Sequence, residues 1–158
     1  MKTLHTLRAK AGISAAAVLL SGVGLSLATA SPAAAYAGYC NKSVTRSSAL
    51  GSVSFVFDAK IPAYNGTMDC YMNQGADSAA VEALQTTLNE CYGRSLTVDG
   101  IFGPATKTAL EYAQGKADIG VDGKYGTETR RGLKWYWDQR YGSRWGCARL
   151  GDVIHIGV

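Results

Sequence analysis

One short piece of this chain occurs twice, and nothing else in the sequence limits the fold as strongly. Val98-Asp99-Gly100-Ile101-Phe102-Gly103-Pro104-Ala105-Thr106 lies over Val121-Asp122-Gly123-Lys124-Tyr125-Gly126-Thr127-Glu128-Thr129 at an offset of 122 − 99 = 23 residues. The register persists beyond the loop, with Lys107 over Arg130, Leu110 over Leu133 and Tyr112 over Trp135. A repeat of this length is one supersecondary unit used twice.

The chemistry of the repeat is that of a turn feeding a helix. Asp99 and Asp122 accept backbone N–H bonds in the turn, and Gly100 and Gly123 permit a positive φ. Phe102 and Tyr125 are expected to tuck under it. Gly103 and Gly126 allow close approach before the next helix, which Pro104 opens in one copy and a capping Thr127 in the other. Thr106 and Thr129 fall one turn into those helices, where a hydroxyl reaches back to the preceding loop. The twin aspartates read as turn formers rather than catalytic carboxylates, and Ile101-Phe102-Gly103 supplies no acid for a calcium loop. Helices are expected over Pro104 to Gln114 and Thr127 to Tyr141. An earlier helix starts at the polar cap Asp77, carries Val81, Leu84, Leu88, Cys91 and Tyr92 at spacings of 3, 4, 3 and 1, and stops at Gly93.

The first 35 residues have the order of a secretory signal peptide: a basic start with Lys2, Arg8 and Lys10, an apolar run from Ile13 to Ala30, and small residues before a cut expected after Ala35 or Ala37. Removing them takes three of the 16 Lys and Arg and none of the 12 acids, leaving 13 − 12 = +1. A near-neutral chain has no general electrostatic reason to seek nucleic acid. Residues 36–76 are expected to form a short disulfide-tied β extension, with a strand through Ser52 to Phe57 and a tight turn at Tyr64-Asn65-Gly66-Thr67. All four cysteines follow the signal, and an even count in an exported chain reads as two disulfides. Three pairings are open; Cys40 with Cys70 and Cys91 with Cys147 is favoured because each pair would staple one half. A zinc site lacks ligands, since His155 is the only histidine left after processing.

The run from Val81-Glu82-Ala83-Leu84-Gln85 through both Asp-Gly loops to Leu133, with Ala109-Leu110 and Gln114 between them, resembles the peptidoglycan-binding-like domain family. The resemblance covers Asp77 to Trp137. It implies a mainly α, three-helix bundle that binds peptidoglycan without cleaving it; the domain is expected over 77–147, with a tail over 148–158. The family usually has an aromatic just before the glutamine of its second helix; here Ala113 stands there, and Tyr112 is the candidate to fill the space.

A wall ligand needs aromatic faces for sugar rings and donors for peptide carboxylates. The candidates are Tyr125, Trp135 and Trp137, with Arg130 for its guanidinium fork. The basic run of Lys124, Arg130, Arg131, Lys134, Arg140, Arg144 and Arg149 faces only Glu128 and Asp138 in the same stretch. The expected protein is a secreted or wall-associated monomer with no cofactor, no catalytic residue, no resident metal and no membrane anchor after processing. Two other classes remain open: a secreted inhibitor or regulator of a wall enzyme, and a small muralytic hydrolase.

Overall fold

The structure, a computed structural model, describes residues 38–50, 55–143 and 145–152, apart from the side chain of Leu50. The expected signal peptide, the start of the strand at Ser52, Arg144, His155 and the end of the tail lie outside the described residues.

Among the described residues seven elements follow one another: β1 (Lys42–Leu50), β2 (Phe55–Ala63), α1 (Ala79–Tyr92), α2 (Pro104–Lys116), α3 (Thr127–Gly132), β3 (Trp135–Gln139) and β4 (Trp145–Ala148). The four strands form one antiparallel sheet in the order β1-β2-β3-β4. The mainly α three-helix bundle is therefore corrected. Three helices are present among the described residues, but the third is 6 residues long, and Trp135–Gln139, within the stretch that was to extend it to Tyr141, is a strand.

The reason is visible in the side chains from Trp135 to Gln139. Aromatic residues favour a pleated surface, and in an extended chain Trp135, Trp137 and Gln139 share one face. All three are buried, while Asp138 between them is exposed. On a helix, Trp135 and Trp137 would have pointed apart. The end of α3 is held by tertiary partners: the Trp135 indole Nε1 donates to the carbonyl of Arg130 at 2.9 Å, and Arg149 Nε donates to that of Gly132 at 2.9 Å. These meet the orphan acceptors that a longer helix would have used itself.

The N-terminal half behaves as a β segment. In β2, Phe57, Ala59 and Ile61 are buried, and the interleaved Asp58 and Lys60 are less so. Asn65 and Gly66 both take positive φ, 48° and 81°, and Tyr64 and Thr67 exchange two backbone bonds across the turn. Two disulfides are present, Cys40–Cys70 and Cys91–Cys147, the pairing favoured from the sequence. The second staples the C-terminal half by joining the last turn of α1 to β4.

The sheet also joins the two halves of the sequence. β2 pairs with β3 at Phe57↔Gln139 and Asp58↔Asp138. One core holds Phe57, Ile61 and Met72 together with Leu84, Leu88, Phe102, Leu110, Tyr125, Leu133 and Trp135. Helix α1 buries Val81, Leu84 and Leu88 as the spacing predicted, and Gly93 ends it in the left-handed conformation at φ 60°. Its cap position is Ser78 rather than Asp77, and Gly126 rather than Thr127 precedes α3.

Candidate functional site

The two repeats are built around a residue outside them. Gln85 on α1 donates through Nε2 to Asp99 Oδ1 at 2.8 Å, to the Ile101 carbonyl at 3.1 Å and to Thr106 Oγ1 at 3.2 Å, while its Oε1 accepts the N–H groups of Asp99 and Gly100. Gln114 on α2 repeats this bond for bond with Asp122, the Lys124 carbonyl, Thr129 and the N–H groups of Asp122 and Gly123. Each aspartate also closes its own turn, accepting the N–H of Ile101 or of Lys124 at 2.9 Å. Gln85's bond is the main reason that the Asp99 carboxyl lies below its usual pKa.

Both glutamines are about 1% exposed. Burial at that level demands that every amide donor and acceptor find a partner. Helix α2 thus serves both units: Thr106 near its start completes the first network, and Gln114 near its end starts the second. The aspartates, glycines and threonines were legible from the repeat, but the glutamines were not. They recur at a spacing of 29, because the stretch from glutamine to aspartate shortens from 14 residues to 8 in the second copy.

Phe102 and Tyr125 are fully buried beneath their turns. At Gly123 (φ 64°) an added Cβ would stand 2.8 Å from Lys107 Cγ and 2.9 Å from Glu111 Oε1, so the second turn packs directly on α2. Tyr112 is 42% exposed, whereas its partner in the repeat, Trp135, is fully buried, so the equivalence of the copies ends where α3 ends.

All four candidate ligand contacts lie inside the protein. Tyr125 and Trp135 have no exposed surface, Trp137 has 4% and Arg130 has 8%. Tyr125 and Trp135 meet edge to face, and Trp137 donates its indole N–H to the Ala148 carbonyl. Burial pushes the Tyr125 phenol well above its usual pKa, so it stays neutral. Arg130 already holds a carboxylate, that of Asp69, which packs the N-terminal half against α3. In this conformation none of the four offers a face to a sugar or a free fork to a peptide.

The open surfaces lie elsewhere. A groove of about 570 Å³ runs between α1 and the outward residues of β1, β2 and β3. Glu82 and Thr86 line it from the helix, and Lys60, Tyr136 and Asp138 from the sheet. At one side Arg140 grips Asp58 through two bonds of 2.7 and 2.8 Å, with Ser47 bonded to both. The guanidinium holds the Asp58 carboxyl below its usual pKa. Tyr136 is half-buried; burial first, and then the charges of Asp138 and Glu90, raise its phenol. Its ring centroid lies 6.0 Å from that of Trp145, which is 45% exposed on β4. The outward phase of β3, expected as helix from the sequence, and of its neighbour β4 is what brings this pair together.

Comparison with curated proteins and with solved structures gives no match. A family model does match, over residues 77–133, just over a third of the chain, and its limits enclose α1, α2, α3 and both glutamine-centred loops. The family whose model matches that segment is described as a putative peptidoglycan binding domain.

Proposed function

We propose that this chain is an exported protein that binds bacterial cell-wall peptidoglycan without cleaving it, and that the groove between α1 and the sheet receives the glycan strand. The observation that carries the reading is the family domain over 77–133 packed directly against this groove, since α1 is both the first helix of the domain and one wall of the cleft. The groove walls suit a polyhydroxylated ligand. Threonine, lysine and carboxylate side chains offer donors and acceptors, and the Tyr136–Trp145 pair offers an apolar ring surface next to them. Two disulfides favour an oxidising compartment, which agrees with a signal peptide at the start of the chain.

The test is co-sedimentation of the oxidised protein with insoluble purified peptidoglycan, with cellulose and chitin as controls, alongside Trp145→Ala and Tyr136→Ala. Sedimentation with peptidoglycan alone, weakened by either variant, is the expected result. A folded protein that stays in the supernatant overturns the reading and puts a protein partner first. Clearing of a wall suspension at any pH overturns the non-catalytic part.

A further inference from the structure

The ends of two helices open on one cavity. Tyr92 from the end of α1, Tyr112 and Lys116 from the last turns of α2, Lys134 from the residue before β3 and Arg149 from just after β4 line a space of about 360 Å³ beside the Cys91–Cys147 bridge. Arg94 stands at its edge, with its guanidinium carbon 4.4 Å from the Tyr112 ring centroid, and Lys116 Nζ lies 5.4 Å from the same ring. The Tyr92 hydroxyl accepts the Lys134 N–H at 2.8 Å.

All 12 acidic side chains of the sequence fall among the described residues. Yet among those residues no carboxylate lies within 4.0 Å of the charged nitrogens of Arg94, Lys116, Lys134 or Arg149. Among the described cations Lys107, Arg130 and Arg140 have such partners; Lys42, Arg46, Lys60, Lys124 and Arg131 also lack one, so what sets these four apart is that they gather around one cavity. Helix dipoles account for part of this, because a cation is favoured at each helix C-terminus. They do not require separate elements to bring their cations to one opening, where the positive charges add and attract an anion.

We infer that this cavity is a second binding site, and that it takes the free carboxylates of the peptide portion of peptidoglycan. The inference rests on the wall-binding reading for its choice of ligand. Cations on long stems, carried by several elements, suit a peptide with more than one carboxylate. The Tyr112 ring supplies an apolar wall for the side chains between them. A single compact phosphate would engage only part of so dispersed a set.

The experiment uses the oxidised chain, isotope-labelled and followed by NMR, with a synthetic stem pentapeptide ending in D-alanyl-D-alanine and carrying free carboxylates as the probe. The comparison probes are the same peptide with its carboxylates amidated and a glycerol phosphate oligomer. The free acid is expected to shift the amides around Tyr112, Lys134 and Arg149, to bind at least fivefold more tightly than the amidated peptide, and to weaken as salt rises. Lys116→Gln combined with Lys134→Gln is expected to weaken it by a similar factor without changing Tm, since both side chains are exposed; Arg149 is left in place because it holds the end of α3. Equal binding of acid and amide, shifts confined to other surfaces, or tighter binding of the phosphate oligomer in this cavity would each overturn the proposal. Peptide binding by a protein that does not sediment with peptidoglycan leaves this site standing and removes the wall-binding reading; sedimentation without peptide binding does the reverse.

Discussion

Replacing Gln114 by Met keeps the length and volume of the side chain and removes every strong donor and acceptor from the centre of the second repeat. The wild-type amide makes five bonds, to Asp122 Oδ1 at 2.8 Å, the Lys124 carbonyl at 3.0 Å, Thr129 Oγ1 at 3.1 Å and the N–H groups of Asp122 at 3.1 Å and Gly123 at 2.9 Å. Their partners do not lose equally. The Asp122 carboxylate is at the surface, and Thr129 keeps its 3.0 Å bond to the Lys124 carbonyl, so these recover much of what they lose. The Gly123 N–H is buried and has no other acceptor among the described bonds. An unsatisfied buried group costs about 1–3 kcal/mol, and each ordinary hydrogen bond contributes about 1 kcal/mol net. One orphaned N–H plus two or three lost bonds therefore predicts a loss of about 3–5 kcal/mol. In a domain of this size that lowers Tm by roughly 10–20 °C. Urea unfolding of the oxidised protein at neutral pH should show a lower midpoint with an unchanged slope. Gln85→Met is the internal control, because its network is the same bond for bond, and it should fall by a similar amount. A loss below about 1 kcal/mol in both variants would refute the claim that the glutamines hold the repeats together; a large loss in one alone would refute their equivalence.

Trp135→Ala should cost about 3–5 kcal/mol by opening a cavity in the core, seen as a lower urea midpoint, whereas Trp145→Ala at the surface should change stability by less than about 1 kcal/mol while weakening sedimentation with peptidoglycan. Removing the Cys91–Cys147 bridge by the double Ser substitution opens a 56-residue span and should cost about 4 kcal/mol by loop entropy, read from thermal melts against the wild type. Asp58 has its carboxyl pKa depressed by Arg140, so the stability it contributes is present above its unfolded value of about 3.9 and is lost as pH falls through the lower folded value. Asp58→Asn should therefore melt below the wild type at pH 7, and the two Tm curves should converge below about pH 4; a constant gap down to pH 2 would exclude the ion pair as the cause.

Local chemistry by itself determined the two Asp-Gly turns, the buried face of α1, the Asn65-Gly66 turn and the start of α2 at Pro104, because each depends on residues a few positions apart. The family was legible for the same reason: its pattern is local and occurs in order. The two glutamine networks were hidden by unequal loop lengths, since a hydrogen bond fixes a distance in space and not a spacing in sequence. The helix expected from Thr127 to Tyr141 failed because partners far along the chain decide where α3 ends. Trp135 caps it from beyond, Arg149 seals it from after β4, and β2 and β4 flank Trp135–Gln139 on either side. Aromatic side chains are good core residues in either conformation, so composition did not choose between helix and strand. Only the tertiary structure did, and in doing so it buried Tyr125, Arg130, Trp135 and Trp137 and left Trp145 and Tyr112 among the exposed aromatic residues.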